Sequence, residues 1–190
     1  ARLFNFDPSG RLVRITYPDK TSEIFKYNCC NIVETISRFG NVTRHRYDSS
    51  HRKVMTLFPD GRKVKFIYDK RSRLKKRISS TGAQTEYFYD EYGNKLKIAH
   101  PDGTFTYYKY DKAGRKTKSW DTNGNVSVYI YDKRDRMKSV SGDRQNKSYK
   151  YNPAGDTIAV VDHGVPYSIR GRKNQYKYDK AGRLVQTILD

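Results

Sequence analysis

Tyr107-Tyr108-Lys109-Tyr110-Asp111-Lys112-Ala113-Gly114-Arg115 decides the fold, because the chain keeps returning to it. Its Tyr-Asp step has counterparts at Phe6-Asp7, Tyr27-Asn28, Tyr47-Asp48, Tyr68-Asp69, Tyr89-Asp90, Tyr131-Asp132, Tyr151-Asn152 and Tyr178-Asp179. Successive anchors lie 21, 20, 21, 21, 21, 21, 20 and 27 residues apart. A fixed period in the range of roughly 20–50 residues signals a stacked, open-ended architecture. The function must then be one that a repeated unit can serve.

Residues 1–27 show the whole unit. Asp7-Pro8-Ser9-Gly10 supplies a turn, Leu12 to Tyr17 is rich in β-formers, Pro18-Asp19-Lys20 turns the chain again, and Ser22 to Tyr27 ends on the anchor. Pro, Asp, Asn and Gly each favour turn geometry for a different local reason. The second turn recurs as Phe39-Gly40-Asn41, Pro59-Asp60-Gly61, Thr81-Gly82, Pro101-Asp102-Gly103 and Asn123-Gly124-Asn125. Each repeat therefore reads as two strands and two turns. Asn31, His51, Ser72 and Asp135 fall where other copies carry the turn glycine.

Two residues before the anchors sits a second ring or its equivalent: Phe25, His45, Phe66, Tyr87, Tyr108, Tyr129, Tyr149 and Tyr176. A period of two puts each with its anchor, Tyr27, Tyr47, Tyr68, Tyr89, Tyr110, Tyr131, Tyr151 or Tyr178, on one face of its strand. These rings, together with the turn residues Asp48, Asp69, Asp90, Asp111, Asp132 and Asp179, are the expected structural anchors, the rings substantially buried against neighbouring strands. The expected fold class is all-β: antiparallel hairpins of about 21 residues in one continuous curled sheet. Eight full units imply about sixteen or seventeen strands, and open sheets rarely exceed about ten without curling or splitting. Native twist accumulates in one hand and would roll such a sheet into a spiral wall. Residues 1–190 read as a single array. The rhythm breaks at 152–177, where Val165 to Lys173 adds an insertion expected as a longer loop or a short extra hairpin. Ala1 opens inside one repeat and Asp190 closes inside another, so the chain reads as a segment of a longer protein.

Composition narrows the chemistry. Lys and Arg number 39 against 20 Asp and Glu, a formal net charge of +19. Basic residues interleaved with tyrosines suit a single-strand nucleic-acid platform. Here they spread over turns and strand faces, which argues instead for a solvated surface whose charge blocks edge pairing. No run of about 18 apolar residues is long enough to span a membrane as a helix. His45, His51, His100 and His163 lack metal-ligand spacing. The Asp residues are read as turn formers, and no phosphate loop or nucleophile elbow is present, so neither a cofactor nor a catalytic residue is expected. Cys29 and Cys30 are adjacent, which is neither a zinc nor a thioredoxin spacing, and are read as exposed turn thiols. Asn41, Asn125 and Asn146 head N-glycosylation acceptor patterns, which matter only in a secreting eukaryote.

The unit Tyr-x-Tyr-Asp-x-x-Gly-Arg, as in 108–115 and again in 176–183, resembles the YD or Rhs repeat family. The resemblance covers nearly the whole chain, with Phe6, Asn28 and Asn152 as departures at the anchors. It implies a hollow spiral β-shell in large secreted or surface proteins: polymorphic toxins, insecticidal toxin-complex components and teneurins. In the toxin members the shell encloses a C-terminal toxic domain. The core that follows the repeats there, with its self-cleaving aspartate site, is not recognisable in this segment. The resemblance implies a structural, non-enzymatic wall whose partners are the adjacent repeats and the enclosed domain. A carbohydrate-binding or adhesion module that stacks tyrosines on a cell-surface glycan is the alternative, with nucleic-acid binding behind it.

Overall fold

The structure is a computed structural model that describes residues 1–164, 172–179 and 183–189. The chain divides into two compact units, Ala1–Tyr87 and Phe88–Asp190. The first holds β1 (Leu3–Phe6), β2 (Leu12–Thr16), β3 (Ser22–Tyr27), β4 (Ile32–Ile36), β5 (Val42–Tyr47), β6 (Lys53–Leu57), β7 (Lys63–Tyr68), β8 (Leu74–Ile78) and the start of β9 (Gln84–Tyr89). The second holds the end of β9, then β10 (Lys95–Ala99), β11 (Phe105–Tyr110), β12 (Lys116–Asp121), β13 (Val126–Tyr131), β14 (Met137–Gly142), β15 (Gln145–Tyr151), β16 (Thr157–Asp162), β17 (Arg172–Tyr178) and β18 (Leu184–Leu189). All 18 strands belong to one sheet, every described pairing is antiparallel, and the described residues contain no helix. The count exceeds sixteen or seventeen because a half-unit leads the array (β1) and another trails it (β18).

The first turn of each repeat explains the glycine. In 111–115 the Asp111 amide donates to the Arg115 carbonyl and the Gly114 amide to the Asp111 carbonyl, each at 3.0 Å. Gly114 sits at φ +76, the left-handed region that a tight hairpin of this kind requires. His51, Ser72 and Asp135 adopt the same conformation at φ 59, 60 and 62 without glycine's freedom. Asn31 does not, contrary to the slot read from the sequence. That turn closes one residue earlier, the Asn28 amide donating to the Asn31 carbonyl at 3.0 Å, and β4 starts at once. This shortening is why Tyr27 and Tyr47 are 20 residues apart. The other 20-residue step, Tyr131 to Tyr151, has a different cause. There β14 and β15 are joined through Asp143-Arg144 alone, with Gly142 opposite Gln145. Gly142 is obligatory, because a Cβ there would stand 2.0 Å from the Val126 carbonyl oxygen.

A bulge accompanies the first turn wherever its strand register is described. Tyr110 is opposite Lys116 and Lys109 opposite Lys118, which leaves Thr117 as an extra residue. The same shift precedes Phe6, Tyr27, Tyr47, Tyr68, Tyr131, Tyr151 and Tyr178. Bulges sharpen local twist and re-aim the neighbouring side chain.

Burial is shallow, as expected of a sheet that covers itself only with its own side chains. Phe66, Tyr68, Tyr108, Tyr110, Tyr129 and Tyr131 are half-buried rather than substantially buried. The buried residues on the ring face are small: Thr56 opposite Val64 in the first unit, and Val140, 2% exposed, opposite Tyr129 in the second. On the other face Ile67 and Ile130 stay 45% and 49% exposed. Of the insertion expected at Val165 to Lys173, residues 165–171 lie outside the described residues, as do 180–182, whereas Arg172 and Lys173 open β17 instead of belonging to a loop.

Candidate functional site

The repeating feature of the molecule is a three-residue assembly of the first turn. The aspartate that follows an anchor, or the asparagine at 28 and 152, caps its own turn. Asp48 Oδ1 accepts the amides of Ser50 and Arg52 at 3.0 and 2.9 Å, and Asp111 Oδ1 those of Ala113 and Arg115 at 3.0 and 2.9 Å. The second carboxylate oxygen takes the arginine four residues on, Arg11 to Asp7, Arg52 to Asp48, Arg73 to Asp69, Arg115 to Asp111, Arg136 to Asp132 and Arg183 to Asp179, all within 2.8 Å. The same guanidinium then lies over the next anchor ring. Arg11 is 4.7 Å from the centroid of Tyr27, Arg52 4.9 Å from Tyr68, Arg115 4.9 Å from Tyr131 and Arg136 4.4 Å from Tyr151.

The arginine also reaches the following turn. Arg11 Nη1 donates to the carbonyls of Asn28 and Cys29, Arg52 Nη1 to Ser72 Oγ, Arg115 Nη1 to Asp135 Oδ1 and Arg136 Nη1 to the Asn152 carbonyl. Six anchor hydroxyls close their units by donating back across their own hairpins: Tyr27 to the Leu12 carbonyl, Tyr47 to Ile32, Tyr68 to Lys53, Tyr110 to Lys95, Tyr131 to Lys116 and Tyr151 to Met137, at 2.7–3.0 Å. Where Arg is replaced, the link changes chemistry. Asn94 donates its amide nitrogens to Asp90, and at 152–156 the polarity inverts, Asn152 capping with its own carbonyl oxygen and donating to Asp156. Sequence reading marked the anchors and the aspartates and included the arginine in the repeat unit without giving it a role. Its regular place five residues after the anchor was the available signal.

Electrostatics follow from these contacts. The arginine side-chain bond, then the turn amides, hold Asp48 and Asp111 below the ordinary aspartate range. Asp132 is lowered by Arg136 in the same way. For Asp69 the Arg73 backbone amide is the larger cause. Burial pushes the phenols of Tyr47, Tyr108, Tyr110, Tyr131 and Tyr151 up. Tyr129 goes the other way. Burial raises it, but hydrogen bonds with Ser119 and Lys116, and the Lys116 charge 4.2 Å from its ring, outweigh that.

The remaining predicted residues are placed as follows. Phe25, Tyr87, Tyr89, Tyr149 and Tyr176 are half-buried, and Asp90 caps its turn. The side chain of Tyr178 lies outside the described residues. His45 meets Thr56 Oγ1 at 3.1 Å, and burial followed by the Lys53 charge lowers its pKa. Among the described residues no three His, Cys, Asp or Glu side chains gather as a metal site.

The opposite face of the second unit carries a different cluster. Tyr107 and Trp120, directly paired across β11 and β12, stack with centroids 5.3 Å apart and planes 15° apart. Lys97 Nζ stands 3.9 Å from the Phe105 ring and 5.3 Å from Phe88, and Lys118 Nζ 5.6 Å from Trp120. Lys109 faces Lys118 across the strands, a like-charge pairing that costs stability.

Comparison with known proteins places this fold. No protein-family model matches the chain, and no curated protein matches it by sequence. Solved structures do match. The crystal structure of TcdB2-TccC3-TEV aligns with a TM-score of 0.63 at 14% identity, over 98% of this chain and 11% of that one. The Photorhabdus luminescens Tc holotoxin pore, with a mutated TccC3, gives 0.61 at 14% identity over 100% of this chain and 14% of that one. The crystal structure of TcdB2-TccC3 gives 0.60 at 16% identity over 98% and 12%. The molecule is thus a repeat-sheet protein with a fold found in Tc toxin chains. It spans between 11 and 14% of the length of those chains.

Proposed function

We propose that this chain is a structural, non-enzymatic wall segment of a YD-repeat β-shell in a secreted protein, and that the shell encloses a C-terminal toxin domain. The observation that carries the reading is the arginine of the first turn, which bonds the capping aspartate of one repeat, covers the next anchor ring and bonds the next turn. Such a contact stabilises neighbours rather than a ligand, so stability accrues from repeat to repeat along the array. A container wall needs that continuity and no single reactive group. The likeness to Tc toxin chains over nearly all of this chain supports the same reading, and the partners it implies are the adjacent repeats and the enclosed domain. The test is electron cryo-microscopy of the full-length polypeptide. This segment is expected in the wall of a hollow particle with density inside. An extended array with no enclosed volume would overturn the proposal.

The stacked Tyr107 and Trp120 favour one second reading, a glycan-binding or adhesion surface at the cell exterior. Aromatic faces pack against apolar sugar faces and the lysines suit acidic sugars. A glycan array with the Trp120→Ala variant as control tests it, with selective binding lost in the variant. Binding that instead collapses with modest added salt and follows phosphate content would point to nucleic acid.

A further inference from the structure

We infer that Cys29-Cys30 is a redox-active vicinal dithiol, closed to a disulfide between neighbouring residues by a disulfide-class oxidant and reopened by a thiol. The evidence is the geometry of the shortened turn. The peptide joining the two cysteines is held at both ends. The Cys30 amide donates to Asn28 Oδ1 at 2.9 Å, and the Cys29 carbonyl accepts from Arg11 Nη1 at 2.9 Å. Arg11 is itself fixed by Asp7 at 2.7 Å, so the clamp does not depend on a free side chain. Within this clamp the two Sγ atoms lie 2.8 Å apart, on an exposed surface that an oxidant can reach. Residues 1–190 hold 2 Cys, so within this segment each sulfur has only the other as a thiol neighbour. At the same two positions after the anchor, other first turns carry Ser49-Ser50, Lys70-Arg71 or Lys112-Ala113 and no sulfur.

The chemistry balances as a two-electron exchange. Cys30 donates its S–H to Cys29, and that bond, with burial second, holds the Cys30 thiol above its ordinary range. Cys29 is then the first attacker. Its thiolate displaces one thiolate from the oxidant and forms a mixed disulfide. The Cys30 sulfur attacks Cys29 Sγ, releases the second thiolate and closes the ring. The chain loses two protons and two electrons, together the mass of two hydrogen atoms, and the oxidant takes them up to become two thiols. Adjacent Cα atoms are about 3.8 Å apart across a trans peptide, below the roughly 4.4–6.8 Å usual for a disulfide. The closed form is therefore strained and readily reduced, which makes it a reversible site and not a structural staple.

The experiment treats the folded chain with oxidised glutathione and reads intact mass without reductant. The expected result is a loss of two hydrogens with no retained glutathione, and iodoacetamide labelling that drops from two sites to none. Reduced glutathione should restore both labels. Persistent glutathione adducts on the parent chain, or covalent dimers, would overturn the assignment. Cys29→Ser should keep one glutathione. Arg11→Gln, with its circular dichroism unchanged, should accumulate the mixed disulfide because the peptide is no longer clamped. If it closes as fast as the parent, the clamp plays no part. Should Arg11→Gln fail to fold, Asn28→Ala tests the other end of the clamp, and the parent-chain result decides the assignment by itself.

Discussion

Replacing Tyr110 separates the two things an anchor does. Its ring is half-buried and its hydroxyl donates to the Lys95 carbonyl at 2.9 Å. Tyr110→Phe deletes the hydrogen bond alone, a net loss of about 1 kcal/mol. Tyr110→Ala also deletes the ring. A fully buried aromatic hides about 150–250 Å², so a half-buried one hides about 100 Å², worth about 2.5 kcal/mol at about 25 cal/mol per Å². Together the alanine variant should lose about 3.5 kcal/mol, as an upper figure because unfolded chains already bury some surface. Lys109→Ala, on the exposed opposite face, should be near neutral or slightly stabilising, because it also removes the repulsion with Lys118. The assay is urea unfolding followed by far-ultraviolet circular dichroism, comparing both midpoint and slope because repeat arrays can unfold in parts. Equal midpoints for Tyr110→Ala and Lys109→Ala would refute the face assignment. Equal losses for Tyr110→Phe and Tyr110→Ala would refute the role given to the ring.

Acid should weaken the fold. Asp48, Asp69, Asp111 and Asp132 have folded pKa values below their unfolded ones, so their contribution is complete above about pH 4 and is lost as pH falls through the folded values. A urea midpoint that stays flat on acidification to about pH 2.5 would contradict this, since free aspartates titrate near 3.9. His45, lowered by burial and then by Lys53, should titrate in an NMR series below the ordinary histidine value of about 6.5. Gly142→Ala should be far more damaging than Gly124→Ala. The first drives a Cβ into backbone at 2.0 and 2.8 Å, whereas the second meets nothing within 4 Å and suffers only its φ of +85, a strain of about 1–2 kcal/mol. Thermal melts of the two variants compare them directly. Lys20 holds φ +66 at an exposed turn, so Lys20→Gly should raise the melting temperature, and a fall would show that the side chain matters there.

Much of the sheet was legible because its signals are local. The Tyr-Asp period, the turn glycines and the alternation of Tyr108, Lys109 and Tyr110 each depend on residues close in sequence, and they gave the hairpins and the ring face. The Asn31 slot was misread because a gap of one residue cannot be assigned within a repeat by spacing alone. Only the Asn28 to Asn31 hydrogen bond shows that the first turn, not the second, had lost it. Gly142 looks like any other glycine in sequence, yet its role comes from the approach of Val126. The tie from Arg115 to Asp111, Tyr131 and Asp135 was out of reach for the same reason, since it joins residues 16 and 20 positions further on across neighbouring hairpins. Ring burial was overestimated because alternation marks a face without saying what covers it.

Protease protection of the C-terminal domain proposed to lie inside the shell, measured in the full-length protein, tests the wall reading most directly. Lys65→Gln, Lys109→Gln and Lys150→Gln, made singly, should leave that domain protected and its activity intact, because the function is spread over the repeats. Deleting one whole repeat, residues 90–110, shifts every later strand and should expose the domain to cleavage. If a single Lys→Gln change abolishes activity while protection persists, the segment holds a discrete functional site and the structural account is wrong.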